Sequence, residues 1–212
     1  MMSNEAGAFI PLFPKKHIPP VLSSIYQASV TLRKKTAKDR EDWITRRLYF
    51  RLIRIPTFRD GPLDIRLQPE IVFHDSDADS PAGRIDLLVS CGRGYEVYFA
   101  IEAKRLRVVR LSNGRLDSGS DKYVNNGMMR FVTGQYAPFM EAGAMLGYVF
   151  DGKTNLARSA VNKYIKSKAK ELRLKPPKRL MRSHILQNMP LDKTRHDLRT
   201  RAFTIYHVFI AV

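Results

Sequence analysis

The clearest rhythm of apolar and polar positions lies between residues 84 and 106. Over 84–90 Ile85, Leu87 and Val89 fall on one side and Asp86 and Leu88 on the other. Over 95–104 the same period returns. Tyr95, Val97, Phe99, Ile101 and Ala103 share one face, and Glu96, Tyr98, Ala100, Glu102 and Lys104 the opposite one. A period of two belongs to a strand, whose successive side chains point to opposite faces. Gly92 and Gly94 predict a tight turn between the runs, so the stretch reads as a β-hairpin. Folding it about that turn brings Asp86 to within a residue or two of a position opposite Glu102. Two carboxylates and the Lys104 ammonium then meet on one patch. Burying such a group costs free energy unless a cation joins it. Mg²⁺ suits these oxygens, because it takes one or two carboxylates, keeps several waters and accepts phosphate oxygens.

Around the hairpin the pattern predicts an irregular arm over 1–20, which holds Pro11, Pro14, Pro19 and Pro20, and helices over 21–37 and 39–55. The second helix takes Asp39 as its cap, stops at Pro56 and carries Arg46, Arg47, Arg51 and Arg54 on a basic face. Residues 68–74 read as a first strand, with Glu70 as a solvated edge charge. Asp75, Asp77 and Asp79 mimic a calcium loop, but Ser80 stands where that loop needs glycine, so the run reads as a solvated turn. An amphipathic helix is expected over 121–141, with Met128, Phe131, Val132 and Tyr136 at helical spacing. A buried strand comes next over 144–150, then a helix over 154–173 that buries Leu156, Val161 and Ile165, and last a C-terminal strand. Residues 147–154 fit the P-loop pattern G-x-x-x-x-G-K-[ST] letter for letter. Gly147 falls inside the predicted strand, however, where backbone cannot wrap a phosphate, and a turn at Asp151 and Gly152 is the simpler reading.

Composition adds a partner and a compartment. With 212 residues and 44% hydrophobic content the chain suffices for one domain, expected over 21–212, with a core at about 39–151 and a basic extension over 152–212. The formal net charge is +17, and residues 153–201 hold 15 Lys or Arg against 3 Asp or Glu. Such an excess favours a polyanion, and nucleic acid is the expected partner. The single cysteine, Cys91, cannot form an internal disulfide, which points to the cytoplasm. No apolar run approaches the roughly 20 residues of a membrane span, so no membrane partner is expected, and the first residues lack the layout of a signal peptide. His184, His196 and His207 are not spaced as metal ligands, and His207 reads as a satisfied core residue.

An Asp in one strand and Glu-x-Lys at the end of the next, here Asp86 in GRIDLLV and Glu102 and Lys104 in YFAIEAKRL, resembles the PD-(D/E)XK nuclease superfamily. Ile85 stands where members usually carry proline. The predicted element order over about 39–151 agrees with that superfamily's αβββαβ core. The resemblance implies a restriction endonuclease-like α/β fold, a mixed central sheet flanked by helices, here with an extra C-terminal helix and strand. It implies a metal-dependent nuclease, most simply a DNA endonuclease acting on double-stranded DNA in restriction, phage defence or repair. Mg²⁺, or Mn²⁺ in its place, would be held by Asp86, Glu102 and the Ala103 carbonyl, with Glu41 as a further ligand from the N-terminal helix. Lys104 would orient or activate water, and Gln135, with Tyr136 next to it, would face the site from the helix after the hairpin. Arg46, Arg47, Arg51, Arg105, Arg107, Lys163, Lys166 and Lys170 are the expected backbone contacts. Two other classes remain: a catalytically silent nucleic-acid-binding subunit of a larger system, and an NTPase using Lys153. A homodimer formed by pairing of C-terminal strands is a further expectation.

Overall fold

The computed structural model describes residues 12–71, 81, 83–92 and 97–212. Its frame is a seven-stranded mixed sheet. In chain order the strands are β1 (Leu63–Leu67), β2 (Leu87–Cys91), β3 (Tyr98–Leu106), β4 (Ala142–Val149), β5 (Met181–Arg182), β6 (Asp192–Asp197) and β7 (Ala202–Ala211). Their order across the sheet is β1-β2-β3-β4-β7-β6-β5. The first three strands form an antiparallel meander. β4 lies parallel to both β3 and β7, and β6 and β5 continue the sheet antiparallel.

Helices cover both faces, which is why β4 is apolar throughout rather than alternating. On one face lie α1 (Ile18–Ser29) and α2 (Glu41–Leu52), packed together, with Thr45 Oγ1 of α2 3.1 Å from the Tyr148 hydroxyl of β4. On the other lies α3, made of Ser120–Tyr123, a π turn over Val124–Met128, and Met129–Val132. Gly143 of β4 lets α3 sit close: a Cβ there would come within 2.6 Å of the Phe131 ring. The helix α4 (Thr154–Ser167) packs against α3 and β7 and buries Ala157, Val161 and Ile165. One hydrophobic core runs from Phe13 to Val212 through the four helices and strands β1 to β4 and β7.

Several expectations are corrected. The N-terminal arm is helical from Lys15, and α1 starts at Ile18, because prolines at 19 and 20 occupy a first turn where an N–H has no helical partner. α2 is shorter than 39–55, and Trp43 and Phe50 are half exposed. Asp39 does not cap α2: Arg40 stands at that position, while Asp39 accepts from Lys35 N at 2.8 Å and pairs with Arg47. The first sheet strand is Leu63–Leu67, not 68–74; Glu70–Ile71 pairs only with Gly83–Arg84, and Asp75, Asp77 and Asp79 lie outside the described residues. The hairpin strands are shifted toward the C-terminus, and Gly94 is outside the described residues. α3 stops at Val132, well short of 141. α4 ends at Ser167, and Leu156 is exposed rather than buried. The basic C-terminal part brings three strands instead of one. β7 is paired on both sides, by β4 and β6, so it has no free edge with which to form a dimer. Among the described residues no helix is long and apolar enough to cross a membrane.

Candidate active site

The site forms where β3 outruns its neighbour. The last rung between β2 and β3 is Leu87 with Ile101, and β3 continues to Leu106. Upstream of β2 the chain leaves β3: Ile85 N donates to Pro69 O at 3.2 Å and Gln68 N to Asp86 O at 3.0 Å. A notch opens beside residues 102–106. In an antiparallel pair the N–H and C=O of one residue point to the same side. Ala103 and Arg105 therefore turn their N–H groups into the notch, and buried N–H groups need partners. Two carboxylates supply them. Asp86 Oδ2 accepts from Ala103 N at 2.8 Å, and Oε2 of Glu41, the first residue of α2, accepts from Arg105 N at 3.0 Å.

Glu102 and Lys104 project from β3 on the side of α3, opposite Met145 and Gly147 of β4. Lys104 Nζ donates to Glu41 Oε1 at 3.0 Å, Glu102 Oε1 at 2.7 Å and Ala103 O at 2.7 Å. All three ammonium hydrogens are thereby used. Glu102 Oε1 accepts a further bond at 3.0 Å from Arg130 Nη1 on α3. The same Nη1 donates to the Tyr136 hydroxyl, which donates in turn to Arg84 O at 2.6 Å. Glu102 Oε2 is buried and accepts no hydrogen bond, and the Glu102 carboxyl lies within hydrogen-bond reach of Asp86.

Burial dominates the electrostatics. It pushes the Glu102 carboxyl up to about 8, with the charge of Asp86 adding to the rise and Lys104 opposing it. Burial also raises Asp86 and Glu41, again against the pull of Lys104. For Lys104 burial works against the charged form, yet Glu102, Glu41 and Asp86 together outweigh it and hold the ammonium above its ordinary range. Three carboxyl groups thus face one buried ammonium and one part-exposed guanidinium, and burial favours the protonated form of Glu102 up to about 8.

Among the described residues no three His, Cys, Asp or Glu side chains are arranged around a common point to hold a metal ion. The Lys104 ammonium lies between Glu41 and Glu102 instead. The donor set nevertheless suits a hard divalent cation: Glu102 Oε2, the neighbouring Asp86 carboxyl and the Ala103 carbonyl are all oxygen donors.

The structure brings together Glu41, Asp86, Glu102, Ala103 and Lys104. It does not place Gln135 on a helix: that residue comes after Gly134, in the turn that ends α3, with its amide beside Gly83. The bonds to Glu102 come from Lys104 and Arg130. Sequence reasoning passed over Arg130, although it is the sole charged residue between Lys122 and Glu141. A lone charge in an otherwise uncharged helical stretch was the available signal. The expected backbone contacts divide in two. Arg47 is tied to Asp39, Arg51 to Ala28 O, Arg105 to Asp39 O, and Arg107 to Asp151 through both Nε and Nη2. Arg46, Lys163, Lys166 and Lys170 are exposed. Gly147 lies within β4, between Lys104 of β3 and Phe209 of β7, so residues 147–149 are strand and not a phosphate-wrapping loop. His196 and His207 are fully buried and hydrogen-bonded, far from any ligand geometry.

No family model, curated protein or solved structure matches the chain.

Proposed function

We propose that this protein is a divalent-metal-dependent nuclease of the PD-(D/E)XK type that hydrolyses phosphodiester bonds in double-stranded DNA. The observation that carries the reading is the carboxyl pair of Glu102 and Asp86: both are buried, they lie within hydrogen-bond reach of each other and beside the Ala103 carbonyl, and Glu102 Oε2 accepts no hydrogen bond. A cation bound there would displace the Glu102 proton and give the two buried carboxylates a counter-charge. The order α2, β1, β2, β3, α3, β4, an antiparallel meander and then a helix and a parallel strand, supports the reading, since it is the αβββαβ order that the resemblance implies.

Asp86, Glu102 and the Ala103 carbonyl would hold the ion, with Glu41 as a further ligand. Held by these residues, Mg²⁺ would supply an acidified water and a counter-charge for the scissile phosphate. The chain's own residues supply orientation. The Ala103 N–H fixes one oxygen of Asp86 and the Arg105 N–H one oxygen of Glu41, while Glu41 Oε1, held by Lys104, would exchange that ammonium for the ion. Lys104, kept charged by the carboxyl groups around it, would orient the attacking water and stabilise negative charge growing on the phosphate once an ion takes Glu41 and Glu102 from it. Arg46, Lys163, Lys166 and Lys170 grip the DNA backbone without reading bases. The cellular settings that fit such an activity are restriction, phage defence and DNA repair. A catalytically silent DNA-binding subunit is the second reading, favoured by the ammonium already seated between Glu41 and Glu102.

The test incubates the purified protein with supercoiled and linear DNA in Mg²⁺, in Mn²⁺ and in EDTA, beside Lys104→Ala. Metal-dependent cleavage that disappears in the variant supports the nuclease. Binding without cleavage under every condition supports the silent subunit.

A further inference from the structure

Lys104 would be the obvious cation for a phosphate in such a constellation, but its three hydrogens are committed to Glu41, Glu102 and Ala103 O. Its side chain is only 12% exposed. Arg130 is 34% exposed and is bonded to the same Glu102 oxygen as Lys104. Both bonds that the structure gives Arg130 leave from Nη1. Among the described residues its Nε and Nη2 have no acceptor. Those two groups form one edge of the planar guanidinium, the edge whose parallel N–H bonds match two oxygens of a phosphate.

The fold also holds that edge in place. The Tyr136 ring lies against the guanidinium at 5.2 Å, and the Tyr136 hydroxyl is itself fixed on Arg84 O. The π turn over Val124–Met128 accounts for the direction. Tyr123 points into the core against His207, and in a regular α-helix a residue seven positions later returns to nearly the same face. The π turn inserts about one extra residue and rotates the last turn of α3 by about 100°. Arg130 is thereby carried from the core face of α3 to the notch.

We infer that Arg130 is the phosphate-binding residue of the site, receiving a DNA phosphate on its Nε and Nη2 edge while Nη1 stays anchored on Glu102 and Tyr136. This rests on the nuclease reading for its substrate, but the contact itself can be measured without cleavage.

The experiment compares wild type with Arg130→Gln and Arg130→Lys in two assays. One tracks fluorescence anisotropy of a short DNA duplex across salt concentrations in EDTA; the other tracks cleavage in Mg²⁺. Arg130→Gln lowers the slope of log K against log salt by about one, the value for one lost phosphate contact. It also lowers kcat about 100-fold, with KM changed far less. Arg130→Lys keeps the salt slope, since the charge remains, and still loses at least about tenfold in kcat, since the fork is gone. A falling slope with a wild type that never cleaves leaves the phosphate contact standing and removes the nuclease reading. An unchanged slope in Arg130→Gln overturns the contact even if cleavage drops, because the loss then runs through Glu102 alone. A wild type that binds no DNA overturns both. If Arg130→Gln does not fold, Arg130→Lys decides: full kcat in that variant removes the assignment.

Discussion

Two clusters of buried polar side chains lie on the same face of this sheet, and they are built on opposite terms. In the C-terminal half, His196 Nδ1 lies 2.7 Å from Leu172 O, Thr194 Oγ1 lies 2.7 Å from His196 Nε2 and 2.9 Å from His207 Nε2, and His207 Nδ1 lies 3.0 Å from the Tyr123 hydroxyl. A carbonyl can only accept, so His196 donates from Nδ1 and accepts at Nε2 from Thr194. Thr194 then accepts from His207 Nε2, and His207 accepts from Tyr123. Every proton has a place and both rings are neutral. Burial agrees, pulling His196 down to about 4 and His207 well below the usual histidine range. At the notch the terms are reversed: three carboxyl groups share two cations, burial raises all three, and Glu102 Oε2 accepts no hydrogen bond. A saturated neutral network contributes to folding; an unsaturated charged one is the mark of a site that awaits a ligand.

The sharpest way to break the contrast is to disarm the notch. Asp86→Ala or Lys104→Ala should lower metal-dependent DNA cleavage by at least about 1000-fold, on the scale of losing the groups that place and stabilise the reacting atoms. Salt-dependent DNA binding should remain within a few fold. Wild-type cleavage in either variant would mean that the reaction happens elsewhere. The next effect is on metal binding. Because burial and the Asp86 charge keep a proton on Glu102 up to about 8, a cation must displace that proton below this pH. Apparent Mn²⁺ affinity should therefore rise about tenfold per pH unit, about 100-fold between pH 6 and 8, as expected for one proton released on binding. Asp86 and Glu41, also raised by burial, add to the loss at the acid end. A Mn²⁺ titration by electron paramagnetic resonance reads this directly, and an affinity that is flat over that range removes Glu102 from the ligand set.

Much of the notch was legible in the period of two over 95–104, which puts Glu102 and Lys104 on one face, and in the position of Asp86 one strand earlier. What was hidden is the difference in strand length that makes the notch. The alternating pattern suggests matched strands over 84–90 and 95–104, whereas β3 runs to Leu106 and Asp86 stands just outside β2. Hydrophobicity does not report where two strands stop pairing. β6 escaped notice for a related reason. Its inward positions are Asp192, Thr194 and His196, polar residues buried by hydrogen bonds and an ion pair with Arg158, so the strand lacks an apolar face to read. The central place of β7 and the turn of Arg130 toward Glu102 are products of topology and of the π turn, and no local spacing encodes them.

The saturated cluster gives the complementary prediction. Thr194→Val keeps the shape of the side chain but removes the hydroxyl that serves both imidazoles, leaving His196 Nε2 and His207 Nε2 without their partner. Unfolding free energy should fall by about 2 kcal/mol or more, the cost of unmatched buried polar groups. Cleavage per folded molecule should not change. Denaturant titration beside the cleavage assay checks both halves. A variant as stable as wild type would show that the network contributes nothing, and a variant with normal stability but lost activity would place the network in the mechanism.

The smallest effect tests whether the same distinction sorts the basic residues. Arg107 is half spent before any ligand arrives: Nε and Nη2 both bond Asp151 Oδ2, at 2.8 and 2.7 Å, and the side chain is 13% exposed. Lys166 is exposed on α4, in the last turn of the helix. The sequence treats them alike, as positive charges near the site. Physically, a guanidinium whose Nε and Nη2 edge is already taken by a carboxylate contributes little to an approaching phosphate, whereas a solvated ammonium releases a counterion from DNA when it binds. Lys166→Gln should therefore lower the salt slope of DNA binding by about one while stability stays within about 0.5 kcal/mol. Arg107→Gln should leave the slope unchanged and cost about 1 kcal/mol of stability through Asp151, left without its partner. The reverse pattern, a lower slope for Arg107→Gln and none for Lys166→Gln, would move the DNA path from the α4 surface to the loop after β3.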